Sequence, residues 1–181
     1  MTKRKINIAF LFRTLVMCVL LLCFNTRVHA QETNYKAYSV YVYNFIKYIE
    51  WPEESKKGDF VIAIIGNSKV TPELKSLAAT KKANGQTIVI KQFATIAEVD
   101  HCQILYISSG KSSMLKEAVE KTKNMSALLI AEREGLAKKG AGINFVQMED
   151  ETLKFEVNKK VIEAHNLKIP KVLFSLGLVV G

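Results

Sequence analysis

The residues able to do chemistry are few, and their spacing limits what they can do. Ser109-Gly110-Lys111-Ser112 follows an apolar segment, as the tail of a phosphate loop does. The full loop needs a glycine where this chain has Leu105, and without it the backbone cannot wrap phosphates. The four residues read instead as a helix start with a serine cap. Gly140-Ala141-Gly142 is not a dinucleotide fingerprint: Phe145 stands in the third glycine's place, and the segment runs into a strand, not a helix. It reads as a tight turn that uses glycine's conformational freedom. His101 and Cys102 are adjacent, so their side chains diverge in a loop or strand and do not make a thiolate pair. Cys102 reads as a buried structural thiol at the start of a strand, with an intermolecular disulfide as the competing reading. Glu149-Asp150-Glu151 are consecutive acids in a polar turn, where solvation keeps them ordinary. His101 and His165 lie in no metal-like spacing with other ligands. The chain therefore offers no catalytic set, no metal set and no cofactor motif, and reads as non-enzymatic.

The aromatic segment Tyr35 to Trp51 is the most distinctive stretch, with seven aromatics in seventeen residues. Tyr38, Tyr41, Phe45, Tyr48 and Ile49 recur at helical spacing and form one face. Alternation of Tyr38, Val40 and Val42 competes as a strand pattern. The helical spacing persists through Ile49, so the segment is expected to be a helix stopped by Pro52. Tyr41, Phe45 and Tyr48 suit packing on a sheet. Tyr38, Tyr43, Asn44 and Trp51 suit a partly wet surface for a partner or ligand.

These residues must be positioned by the rest of the chain. Phe60–Ile65 is a continuous apolar run, the pattern of a strand buried on both faces. Thr87–Ile90, Ile104–Ile107 and Ala127–Ala131 read as further strands. Helices are expected at 71–81, where Pro72 sits in the first turn, and at 112–123. Asn84-Gly85 marks a turn. Ile143–Val146 and Leu153–Val157 flank a polar turn and read as a hairpin. Helices at 158–166 and 171–180 complete the chain. The expected fold class is α/β: a three-layer domain, with a mixed, mostly parallel sheet of about five to six strands, a late β-hairpin and flanking helices.

Length and charge complete the frame. The chain has 181 residues, 26 basic and 17 acidic, a formal charge of +9. Lys3, Arg4 and Lys5 precede an apolar run from Ile6 to Phe24, and Val28-His29-Ala30 reads as a small-x-small cleavage site. Residues 1–30 are read as a cleaved signal peptide. An uncleaved anchor is the alternative, because Arg13 can snorkel. A lipoprotein is disfavoured because Leu22 precedes Cys23. Residues 31–181 then form a single domain exported to the periplasm. It carries 21 basic and 17 acidic residues, net +4, which does not predict nucleic-acid binding. Cys102 is its one cysteine, so no internal disulfide forms and the fold rests on its core. A domain of about 150 residues buries about 70% of its unfolded surface, which suffices.

Three stretches resemble the YfiR-like family of small periplasmic proteins. The first is Tyr41-Val42-Tyr43-Asn44-Phe45-Ile46-Lys47-Tyr48-Ile49-Glu50-Trp51-Pro52. The second is Cys102-Gln103-Ile104-Leu105-Tyr106-Ile107-Ser108. The third runs from Gly142-Ile143-Asn144-Phe145 through Leu153-Lys154-Phe155-Glu156-Val157-Asn158 to Leu167-Lys168-Ile169. The resemblance marks Phe45, Pro52, Cys102, Gly142, Asn144, Phe145, Phe155 and Asn158 as motif positions. It implies a regulator that binds the periplasmic sensor domain of an inner-membrane signalling protein, a diguanylate cyclase or kinase. Cyclic di-GMP and biofilm output follow in that family, and a homodimer is implied. Tyr43, Asn44, Lys47 and Trp51 are the expected partner contacts, or the residues that shape them. Asn144 and Asn158 are expected to satisfy backbone groups around the hairpin. The chain departs from the family in lacking a partner for Cys102, in Ser39 and Val40, and in Asn166 before Leu167. The alternative function is a periplasmic small-ligand binder. Its cleft would lie at the carboxyl ends of the strands, near Gly66-Asn67-Ser68 and Ser108-Ser109-Gly110.

Overall fold

A computed structural model describes residues 33–181. The signal-peptide reading of residues 1–30 lies outside the described residues. No described helix is long and apolar enough to cross a membrane.

The first helix, α1 (Tyr35–Tyr48), is capped by Asn34, whose side chain accepts from the Ala37 N–H at 3.0 Å. It ends three residues short of the expected Trp51. Ile49 is already extended (φ −70°, ψ 134°), and Glu50 forms a two-way backbone bridge with Lys168 at 2.9 and 3.2 Å. The bridge draws the chain out of the helix before Pro52 is reached. Trp51 then folds back, and its indole N–H donates to the Ile46 carbonyl at 3.1 Å, filling one of the orphan acceptors of the last turn.

Strand β1 (Phe60–Ile65) is buried along its whole length. Helix α2 (Val70–Thr80) follows, then the hairpin β2 (Lys82–Ala83) and β3 (Gln86–Phe93). The connecting Asn84 and Gly85 both have positive φ, 51° and 96°, as a two-residue hairpin turn demands. Strand β4 (Ile104–Ile107) leads through a helical turn, Ser109–Met114, into α3 (Leu115–Thr122) and β5 (Leu128–Ala131). The hairpin β6 (Ile143–Gln147) and β7 (Leu153–Val157) is antiparallel, with Phe145 opposite Phe155. Two short helices, α4 (Lys159–Ala164) and α5 (Lys171–Leu176), precede a last strand β8 (Leu178–Val179).

The strands form one eight-stranded sheet in the order β2-β3-β1-β4-β5-β6-β7-β8. The pairs β3-β1, β1-β4, β4-β5 and β5-β6 are parallel, which gives the expected mixed, mostly parallel sheet. Alternate residues of each central strand enter two separate cores. Phe60, Ile62, Ile64, Ile104 and Tyr106 join α1 and α2 residues, among them Phe45 and Leu74. Val61, Ala63, Ile65, Leu105 and Ile107 join Leu115 and Ala118 of α3. Helices therefore cover both faces, and the three layers are those expected.

Two expectations are corrected. The sheet has eight strands, not five or six, because the two-residue edge strands β2 and β8 are too short to leave a pattern. The last helix stops at Leu176 instead of running to Val180. From there the chain lies parallel to β7, with Leu178 opposite Glu156 and Val179 opposite Val157. Gly177 lets it pass: a Cβ there would sit 2.6 Å from the ring of buried Phe155.

Gly177→Val should therefore overpack the Phe155 contact and destabilise the domain by about 1–3 kcal/mol. Urea denaturation monitored by circular dichroism reads the change. An unaltered midpoint would mean that the last strand does not press on β7.

Candidate functional site

The aromatic helix buries one face and leaves its last turn wet. Tyr38, Val42, Phe45, Ile46 and Ile49 are in the core. Phe45 meets Phe155 edge-on at 5.0 Å, and Tyr38 lies 4.1 Å from Phe145, so the helix is fixed to the β6-β7 hairpin by ring contacts. The Tyr41 hydroxyl donates to the Leu153 carbonyl at 3.1 Å. Trp51 is only 5% exposed and stands perpendicular to Phe60 at 5.0 Å.

Where the helix ends, a cleft of about 530 Å³ opens. Lys47, Tyr48, Glu50, Trp51, Glu53 and Lys168 are among its walls. Its acids are engaged: Glu53 holds Lys56 at 2.5 Å and Glu50 holds Lys168 at 3.6 Å. Lys47 has no carboxylate partner among the described residues and lies over the Tyr48 ring at 5.3 Å. Tyr48 is 44% exposed. The cleft thus presents one unneutralised cation beside a wet aromatic ring, on a rigid frame.

The expected contact residues are not all brought together. Lys47 and Trp51 share the cleft. Tyr43 is half-buried and points its hydroxyl toward the Lys82 carbonyl of β2 at 3.5 Å. Asn44 is half-buried beside it in sequence, and neither lines the cleft. Tyr48 was expected against the sheet and instead faces solvent. Glu50 and Lys168 carry no sequence signal, since their pairing joins positions 118 residues apart.

Asn144 and Asn158 converge on one loop. Asn144, fully buried, accepts from the Ala137 N–H at 2.6 Å and donates to the Phe145 carbonyl at 3.2 Å. Asn158 donates to the Ala137 carbonyl at 2.9 Å and accepts from the Val161 N–H at 3.3 Å, capping α4. The two asparagines hold the peptide groups on either side of one residue. Gly142 fits beneath α4, where a Cβ would meet Ile162 at 3.0 Å.

The carboxyl ends of β1, β4 and β5 meet at Gly66–Ser68, Ser108–Gly110 and Glu132. The Glu132 carboxylate is buried there. It accepts from Ser68 Oγ at 2.5 Å, Tyr106 Oη at 3.2 Å and the Ser109 N–H at 2.6 Å. An anionic solute would meet this charge instead of free donors. Two buried hydroxyls nearby, of Thr71 and Ser108, have no hydrogen-bond partner among the described residues. Burial, with the Glu132 charge second, pushes the Tyr38 phenol up to about 12 and the Tyr106 phenol well above its usual value. No group of three or more histidines, cysteines or acids able to hold a metal ion occurs among the described residues.

The YfiR/HmsC-like family matches residues 35–177. The chain belongs to the YfiR/HmsC-like family. Within the matched residues, Phe45, Phe145 and Phe155 fix α1 to the β6-β7 hairpin, and Asn144 and Asn158 hold the Ala137 loop. No curated protein matches the chain. Nine solved chains resemble it in fold, among them two that cover three quarters or more of this chain. One is an ABC domain in complex with L-Trp from Streptococcus pneumonia, at TM-score 0.54 and 12% identity, covering 76% of this chain and 58% of that one. The other is a conserved domain protein from Vibrio cholerae O1 biovar El Tor, at TM-score 0.52 and 12% identity, covering 82% of this chain and 60% of that one. The chain therefore spans about three fifths of each.

Cys102 is free and buried, and burial pushes its thiol from 9.0 up to about 12. Both Cys102 and Tyr38 hold their protons more tightly in the folded state than in the unfolded chain. Their stabilising contribution is whole below pH 9, and it is lost as pH climbs from there through about 12. Thermal melts should be flat in this respect up to pH 9 and fall above it. Native protein at pH 8 should resist a thiol reagent that labels the urea-unfolded chain at once. Rapid native labelling would place Cys102 at the surface.

Proposed function

We propose that this protein is an exported, non-enzymatic regulator. It binds the periplasmic sensor domain of an inner-membrane signalling protein, a diguanylate cyclase or kinase, and so modulates cyclic di-GMP signalling. The observation that carries the reading is the YfiR/HmsC-like match over residues 35–177, which includes the aromatic helix and its exposed last turn. The physics of the site is consistent with a protein contact. Lys47 and Tyr48 are exposed on a surface whose other charges are already paired, and a tyrosine with a neighbouring cation suits a partly wet interface. Trp51 holds that surface in shape from the core. Regulation then amounts to stabilising one state of the sensor, and the shift cannot exceed the difference in affinity for the two states.

The alternative, a solute binder at the carboxyl ends of β1 and β4, draws on the unpartnered Thr71 and Ser108 hydroxyls. The ABC domain of similar fold was solved with L-Trp. Glu132 disfavours an anion there, so this reading takes second place.

Deleting the gene in the source organism should change cellular cyclic di-GMP, and the intact gene should restore it. The combined change Lys47→Glu with Tyr48→Ala should fail to restore it while leaving melting unaltered, because both side chains are exposed. Trp51→Ala should instead lower stability by about 3–5 kcal/mol, by emptying a core position. If cyclic di-GMP is the same with and without the gene, the signalling reading falls. If the double variant restores it fully, the Lys47–Tyr48 surface is not the contact.

A further inference from the structure

A different cleft, of about 590 Å³, lies between α3 and the loop that leaves β5. Its floor is apolar: Leu115 and Leu136 are buried, and Val119 packs half-buried against the same core. Its rim carries Lys116, Arg133 and Lys139, opposed by Glu120 and Glu134. None of these five side chains takes part in an ion pair among the described residues. Arg133 is the sole arginine in the described part of the chain.

The loop that presents Arg133 is held firmly. Glu132, next to it, is tied down by Ser68, Tyr106 and Ser109. Farther along, Ala137 is clamped on both sides by Asn144 and Asn158. Gly140 adopts φ 118°, a left-handed conformation, and brings the loop so close to α3 that a Cβ would lie 3.0 Å from Val119. Buried polar groups are thus used to pre-set an exposed arginine over an apolar floor, which is how a binding site is built.

The chemistry of the walls selects a ligand class. A guanidinium is charged at every physiological pH and fits a planar anion with two parallel hydrogen bonds. Three cations against two carboxylates leave one surplus positive charge, which suits a single negative group and not a polyphosphate. The apolar floor calls for an apolar body attached to that group. We propose that this cleft binds a small organic acid, with its carboxylate on Arg133 and its apolar body over Leu115, Val119 and Leu136. The inference rests on this cleft alone and is independent of the partner surface at Lys47 and Tyr48.

The test uses the full chain, expressed and purified as the cell processes it. Phenylacetate and its uncharged analogue phenylacetamide serve as probes in thermal-shift and calorimetric titrations. Phenylacetate should raise the melting temperature and phenylacetamide should not. Arg133→Met should weaken phenylacetate binding by about tenfold or more, as loss of a charge-assisted pair does, without altering the melting of the unliganded protein. Glu134→Gln should strengthen it. A short peptide ending in phenylalanine, with a free or an amidated carboxyl terminus, separates a free acid from a chain end as the source of the same group. Tighter binding of the free-ended peptide than of phenylacetate assigns the cleft to a chain terminus. Absence of binding by both acids, equal binding of acid and amide, or full binding by Arg133→Met overturns the proposal.

Discussion

Strand β1 buries all six of its residues and pairs on both sides with parallel neighbours, β3 and β4. With no solvent face, it must present apolar side chains alternately to two cores, and each core must be closed by helices from elsewhere in the chain. The aromatic helix is the chief closure on one side. Its rings do not merely fill volume: Tyr38, Tyr41 and Phe45 meet Phe145 and Phe155 of the β6-β7 hairpin, so two segments about 100 residues apart are joined by tilted and edge-on ring contacts. The buried amide of Gln103 completes the ladder at the start of β1, accepting from the Val61 N–H at 2.7 Å and donating to the Ser55 carbonyl at 3.2 Å.

The wet turn of that helix follows from the same closure. Because the helix must stop where Glu50 meets Lys168, the positions after Tyr48 cannot stay on the helical cylinder. Trp51 is turned inward onto Phe60, while Lys47 and Tyr48 are left facing water above it. Core and surface thus meet at one point: the buried tryptophan and the exposed pair line the same cleft.

Much of this was legible in the sequence, and the rest was hidden for identifiable reasons. Phe60–Ile65 and Ile104–Ile107 have the boundaries that their apolar runs imply, because burial on both faces leaves a continuous signal. The start and type of the aromatic helix follow from its spacing. Its end does not, since that depends on a distant pairing. The strands β2 and β8 are two residues long and exist only through their neighbours. Of the candidate site, Lys47 was named among the expected partner contacts, but the outward turn of Tyr48 was not foreseen. Glu132 follows an apolar strand and looks like an ordinary solvated acid. Its burial arises because Ser68, Tyr106 and Ser109, from separate segments, converge on it.

In a doubly wound sheet, the crevice at the strand ends is where amide hydrogens usually await a solute's negative group. Here a side chain of the protein itself fills that role, with three donors already committed to it. The strand ends are thus self-liganded by the Glu132 carboxylate, whose charge repels a second negative group.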